Sequence, residues 1–218
     1  MELTNYTYES LRMVPIQTGS MANNCYIVAD TERKECVVID ASFDFQQVLR
    51  KIEEEGWRWT ALWLTHAHFD HIYGAKLTET EGRDVPIALH PDDEAIRTGG
   101  GSARAGQARG GNCPAPRIPI ADGTRLTVGK YGFTVLHTPG HSPGSVCYYC
   151  AAAGWLFSGD TVFYHDHGRT DLFGGSQRQI EASINTRVLT LPDETLIFPG
   201  HEAFTSVGAE RPFFGQYF

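Results

Sequence analysis

Leu64-Thr65-His66-Ala67-His68-Phe69-Asp70-His71 places four metal-capable side chains within six residues. His66 and His68 are two apart, so extended backbone projects them to the same side. Asp70 and His71 follow after one apolar residue, where a turn can aim them at a neighbouring point. The apolar run Ala61-Leu62-Trp63-Leu64 before them reads as a buried strand. A cluster at the carboxyl end of such a strand is held rigidly, as a metal site requires. A single His-x-His fits a His-rich solvated loop equally well, whereas the full His-x-His-x-Asp-His is far more specific.

Other parts of the chain supply matching ligands. His141 lies in His137-Thr138-Pro139-Gly140-His141-Ser142-Pro143-Gly144, Asp160 in Phe157-Ser158-Gly159-Asp160-Thr161, and His201 in Phe198-Pro199-Gly200-His201. Each follows a strand-like run: Phe133 to Leu136, Gly154 to Phe157, and Thr195 to Phe198. Each also sits beside Gly or Pro, and so in a turn at a strand end.

In this order the motifs resemble the metallo-β-lactamase superfamily over nearly the whole chain. Within it the nearest likeness is to the glyoxalase II-like thioester hydrolases, through Gly168-Arg169-Thr170-Asp171-Leu172 and Pro199-Gly200-His201-Glu202. The resemblance implies an α/β fold, the αββα sandwich of two mixed β-sheets flanked by helices, as a single domain over residues 1–218. Seven ligands exceed what one tetrahedral zinc needs. The family pattern divides them: His66, His68 and His141 hold one ion, Asp70, His71 and His201 a second, and Asp160 bridges both. It also implies that Asp40 is a carboxylate orienting a ligand His; on the residues alone Asp40 reads equally as a turn or cap aspartate. Two divalent ions are expected, zinc foremost; imidazole and carboxylate suit zinc, iron and manganese alike, so ligand type does not name the metal.

The implied chemistry is hydrolysis of a small-molecule thioester of the glutathione type by a hydroxide shared between the ions, with Asp70 orienting it. About seventeen residues follow His201, too few for the C-terminal helical region of glyoxalase II enzymes, so the likeness is to the compact subgroup. The rival is a mononuclear Fe(II) persulfide dioxygenase, which would use equivalents of His66, His141 and Asp160. That group usually carries Ala before its last His, so Gly200 favours the hydrolase. A β-lactamase or lactonase fits less well, since Gly168 to Leu172 is not the β-lactamase signature. Tyr164-His165-Asp166-His167 departs from the family's Gly-rich run and reads as an exposed loop.

Composition bounds these readings. The 218 residues are 41% hydrophobic and 20% charged, ordinary for a globular protein. A formal net charge of -8 with scattered basic residues argues against nucleic acid as a main partner. No apolar run approaches the ~20 residues of a membrane helix. The start, Met1-Glu2-Leu3-Thr4-Asn5-Tyr6, lacks signal-peptide character. Five cysteines suggest no disulfide framework. Cys147 and Cys150, three apart in a strand, should face opposite sides as buried thiols. A reducing cytoplasm is the expected compartment.

The periodicity predicts strands over Leu11–Gln17, Cys25–Ala29, Cys36–Asp40 and Val85–His90. It predicts helices from Phe45 to Ile52, from Asp70 to Glu81 and from Gln177 to Leu191. Asp44 with Gln47 resembles a capping box, and Phe43 with Val48 a hydrophobic staple. His90 reads as structural or pocket-lining. The Gly-rich stretch 98–111 reads either as a mobile surface loop or as a lid whose Arg104 and Arg109 meet a substrate carboxylate, with Arg169 elsewhere a further candidate. The aromatic tail after Arg211 either packs on the core or walls the pocket.

Overall fold

The computed structural model describes residues 4–80, 82–99 and 113–215. The first sheet adds its strands in sequence order: β1 (Tyr6–Tyr8), β2 (Leu11–Thr18), β3 (Asn23–Asp30), β4 (Glu35–Ile39), β5 (Arg58–Trp63), β6 (Ile87–Leu89) and β7 (Ile118–Pro119). Pairing is antiparallel from β1 to β4 and parallel from β4 to β7. The second sheet comprises β8 (Arg125–Val128), β9 (Tyr131–His137), β10 (Val146–Cys150), β11 (Trp155–Gly159), β12 (Leu196–Pro199) and β13 (Thr205–Ser206). Its spatial order is β13-β12-β11-β10-β9-β8, and only β11 with β12 pairs parallel.

Strand alternation sorts the core into layers. In β5, Ala61 and Trp63 point between the sheets, while Leu62 and the following Leu64 point outward. Trp63 meets Phe133 and Tyr148 of the second sheet, each at 5.3 Å between ring centroids. The outer face of the first sheet is covered by α1 (Gln46–Glu55) through Val48, Leu49 and Ile52. Two single turns, α2 (Phe69–Ile72) and α3 (Glu94–Arg97), flank the ligand loops. The second sheet is covered by α4 (Gln177–Ser183) and α5 (Val207–Phe214), which bury Ile180, Val207 and Phe214 against Cys147, Leu156 and Ile197. Each fully buried large aliphatic contributes about 1.5–3 kcal/mol. The result is the expected helix–sheet–sheet–helix sandwich.

Cys147 faces the helices and Cys150 the other sheet, and all five cysteines are buried free thiols. At one edge the sheets are joined directly: Val146 donates its N–H to Thr65 O at 2.9 Å, and Asn24 to Gly200 O at 2.8 Å. The loops after β5, β9, β11 and β12 therefore meet there.

Three local expectations are corrected. The helix predicted from Asp70 to Glu81 is broken at Gly74, leaving α2 and a 3-10 turn over Ala75–Glu79. The backbone after β4 explains the break: Ala41 donates to His71 O at 2.7 Å, and Gly74 donates to Ala41 O at 2.8 Å. Gly74 packs so tightly that a Cβ there would lie 2.5 Å from Phe45 Cβ. At α1 no capping box forms; Asp44 has φ +52° and only its carbonyl accepts from Gln47. Phe43 packs on the rings of Tyr73 and Phe69. Finally, the helix predicted to Leu191 becomes a π-helical turn over Ile184–Val188, which still buries Ile184 and Val188.

Candidate metal centre

The seven predicted ligands converge at that edge of the sandwich, six of them buried and His201 partly exposed. His66 and His68 lie in the loop after β5, with His68 preceding α2 and Asp70 and His71 inside it. His141 follows β9 by a turn, Asp160 follows β11, and His201 follows β12. His66 Nε2 lies 3.2 Å from His141 Nε2, and His68 Nδ1 lies 2.8 Å from the same atom. His71 Nε2 and His201 Nε2 are 3.3 Å apart, and His201 Nε2 is 3.3 Å from Asp70 Oδ2. Asp160 reaches both groups: Oδ1 is 3.3 Å from His71 Nε2, and Oδ2 is 3.4 Å from His141 Nε2.

Such spacings are those between neighbouring ligands of one ion. Lone pairs of His66 and His141 facing each other at 3.2 Å would simply repel unless a cation lay between them. Five imidazoles and two carboxylates are also the donor set that divalent ions of this size take. The residues therefore fit divalent metal.

A surrounding layer fixes each ring. Asp40 Oδ2 lies 2.8 Å from His71 Nδ1, and the same carboxylate accepts from Thr65 N and Thr65 Oγ1, both at 2.8 Å. Having donated to Asp40, Thr65 Oγ1 is left to accept from His66 Nδ1 at 3.1 Å. Arg169 O accepts from His141 Nδ1 at 2.7 Å, and Met21 O from His201 Nδ1 at 3.2 Å. Four rings thus carry hydrogen on Nδ1 and turn the Nε2 lone pair inward. His68 is the reverse: Nδ1 faces inward and its Nε2 is buried without a partner. Asp40 is held at φ +61° at the end of β4, a backbone cost that the bonds to His71 and Thr65 offset.

Electrostatics divides the site. Burial, aided by neighbouring imidazoles, pushes His66 well below its usual range and His68 down to about 3, so both are neutral near pH 7. On the other side burial opposes ionisation of Asp70 and Asp160, yet His71 and His201 hold both carboxyls low, Asp160 at about 2. Burial likewise opposes charge on His71, but Asp160, Asp70 and Asp40 outweigh it and raise it well above its usual value. That negative field is what a dication would satisfy.

Three residues without a motif complete the frame. Asp93, buried beside α3, accepts from Ala67 N at 2.8 Å, Ser142 Oγ at 2.8 Å and Gly144 N at 2.6 Å, tying the His66–His68 loop to the His141 loop. Asn24 Nδ2 donates to Pro199 O and Glu202 O, clamping the turn that carries His201. Asn23 Nδ2 donates to Asp70 Oδ2 at 2.9 Å. A close contact also explains Gly200: a Cβ there would lie 2.3 Å from Asp160 Oδ1 and 2.7 Å from His71 Cε1.

Among the substrate-contact candidates, the Arg169 side chain is exposed and pairs with Asp171 at 2.7 Å, while its carbonyl serves His141. Arg104 and Arg109 lie outside the described residues. His165 and His167 join no metal-type convergence among the described residues; His165 binds buried Glu210, and His167 lies by Gly168 O and Gln177. His90 stacks face to face on His137 at 4.1 Å. Asp92 is nearby, but parallel rings do not aim their in-plane lone pairs at one point. In the tail, Phe214 packs into the helix-side core and Phe213 stacks on His165.

The family model of the metallo-beta-lactamase superfamily matches residues 18–201, and the chain belongs to that superfamily. It is 38% identical over 200 residues to the probable metallo-hydrolase YqgX of Bacillus subtilis, covering 90% of each chain. It is 26% identical over 211 residues to hydroxyacylglutathione hydrolase GloC of Haemophilus influenzae, covering 93% of this chain and 95% of that one. Among solved structures, TTHA1623 in a di-iron-bound form superposes with a TM-score of 0.78 at 37% identity, over 90% of this chain and 96% of the other. Among the described residues, no helix is long and apolar enough to cross a membrane.

Proposed function

We propose that this protein is a dinuclear metal-dependent hydrolase of small-molecule thioesters, of the hydroxyacylglutathione hydrolase type. The observation that carries the reading is Gly200. Its missing Cβ leaves room for Asp160 and His71 to stand together, so the Asp70–His71–His201 group is complete beside the His66–His68–His141 group. A mononuclear dioxygenase would leave the first of these groups without a task. The likeness to GloC and to a di-iron-bound neighbour supports the same reading.

A pair of divalent ions held there supplies a water of lowered pKa and a Lewis acid for the thioester carbonyl. The chain does the rest. His66, His68 and His141 form one holding group, Asp70, His71 and His201 the other, and Asp160 joins them. Asp70, kept ionised, is the carboxylate placed to orient the attacking water. Asp40, Thr65, Arg169 O and Met21 O hold the rings in the required tautomers. Met21, Tyr164 and Phe173 are the large exposed apolar side chains of the described residues. Met21 and Tyr164 lie on loops touching His201, and Phe173 on the loop that follows Arg169, so the three offer apolar contact to the acyl group. Five free thiols accord with a reducing cytoplasm.

The test is anaerobic assay of protein loaded with zinc or manganese against S-D-lactoylglutathione and a simpler thioester. Cleavage is expected, and His201→Ala should lose most of the rate. Oxygen uptake with glutathione persulfide on a single bound iron, together with no thioester cleavage under any metal loading, would overturn the proposal.

A further inference from the structure

Two buried tyrosines stand in matched places on the two sheets. Tyr26 of β3 donates its hydroxyl to Pro199 O at 2.5 Å, and Tyr148 of β10 donates to Leu64 O at 2.7 Å. Each bond crosses from one sheet to the other, in opposite directions. Each accepting carbonyl lies two residues before a candidate ligand, His201 in one case and His66 in the other. The match extends to the backbone. Two residues before each tyrosine, Asn24 and Val146 give their N–H to Gly200 O and Thr65 O, the carbonyls that follow Pro199 and Leu64.

The peptide planes leading to the two ligands are therefore pinned at both ends. The Leu64–Thr65 plane has its oxygen on Tyr148 and its N–H on Asp40 Oδ1 at 2.8 Å. The Pro199–Gly200 plane has its oxygen on Tyr26 and on Asn24 Nδ2 at 3.1 Å, and its N–H on Gly159 O at 2.8 Å. Planes held this way fix where the following imidazole starts from the chain. Packing alone asks only for a ring at either place: Tyr26 lies 5.1 Å from Phe157 and Tyr148 lies 5.3 Å from Trp63, between centroids. The hydroxyl answers to the carbonyl, since a buried phenol needs a partner. Burial pushes both phenols well above their usual value, so each keeps its hydrogen and donates.

We propose that Tyr26 and Tyr148 are positioning residues, each serving the ion held from the opposite sheet: Tyr148 sets the His66–His68–His141 group through His66, and Tyr26 sets the Asp70–His71–His201 group through His201. The inference rests on the dinuclear reading above and adds to it how each ligand group is aligned.

The experiment titrates metal-free full-length protein with Co(II), following visible absorption and heat, for wild type, Tyr148→Phe and Tyr26→Phe. Wild type should bind two ions in separable steps, which His68→Ala and His201→Ala assign to their groups. Tyr148→Phe should weaken the first ion ~10-fold and leave the second within ~2-fold, the lower end of what partners one step removed from a metal contribute. Tyr26→Phe should weaken the second ion ~3-fold and spare the first, less because Asn24 Nδ2 still holds Pro199 O. The control is Tyr131→Phe. Tyr131 is a third buried tyrosine linking the sheets, accepting from Ser10 N at 3.0 Å, but its partner leads to no ligand. It should lower stability in urea and leave both affinities at wild-type values. Equal weakening of both ions by either ligand-side variant, or changes no larger than those of Tyr131→Phe, overturns the assignment while leaving two ions in wild type. Each Phe variant is read against the control on its own, so if one fails to fold the other decides. A wild type that takes only one ion overturns the dinuclear reading instead, and the paired assignment with it.

Discussion

Replacing Asp93 by Ala should loosen the group of His66, His68 and His141 although Asp93 touches no candidate ligand side chain. Its two oxygens receive two backbone N–H groups, from Ala67 and Gly144, and the Ser142 hydroxyl. Ser142 keeps a second partner in Ser145 Oγ at 2.7 Å, so its loss is small. The two N–H groups lie in buried surroundings, and each left without an acceptor costs about 1–3 kcal/mol. The loss should therefore total ~2–6 kcal/mol, partly recovered if a water enters the vacated space. For a chain of this length each kcal/mol is about 2–4 °C in melting temperature. Asp93→Asn, with one oxygen instead of two, should fall between Ala and wild type. The assay is urea unfolding of metal-free protein, paired with titration of the first metal. Asp93→Ala should lower both stability and first-ion affinity, because the Ala67 and His141 loops lose their common anchor. A loss under ~1 kcal/mol with unchanged first-ion affinity would refute the reasoning.

Gly200→Ala should lower second-ion occupancy in elemental analysis and keep the first ion, since its Cβ would press on Asp160 Oδ1 and His71 Cε1; full occupancy of both would show that the close contact does not matter. The added methyl should also cost about 1–3 kcal/mol of stability as overpacking. Asp30 gives a pH prediction remote from the metal. Burial raises its carboxyl pKa, but the N–H groups of Lys130, Arg33 and Glu32 and the Ser10 hydroxyl outweigh this and hold it below the usual value. A depressed folded pKa means stability that is full above the unfolded value of ~3.9 and lost as pH falls through the folded one. In metal-free protein Asp30→Asn should be less stable at neutral pH and lose less between about pH 5 and pH 3; parallel acid limbs for the two proteins would contradict this.

The seven candidate ligands were readable because each stands in a short motif at a strand end, where local spacing and an adjacent Gly or Pro reveal the turn. The layers were readable for the same local reason: alternation in β5 separates Ala61 and Trp63 from Leu62 and Leu64. What escaped depends on partners far along the chain. Asp93 carries no readable signal of its role, because nothing near it announces Ala67, twenty-six residues back, or Gly144, fifty-one ahead. The helix expected from Asp70 to Glu81 has good local periodicity, but Ala41 and Phe45 impose the break at Gly74. Arg169 was read through its guanidinium, whereas its backbone carbonyl serves the site, and a carbonyl carries no sequence signature. Asn23 combines both difficulties. Its position one residue before Asn24 looks like a polar strand start, and its neighbours Asp70, His71 and His201 come from two other loops. Residue type announces a metal ligand when it is His or Asp in a known spacing. An Asn that donates to such a carboxylate is found only once the loops around it are in place.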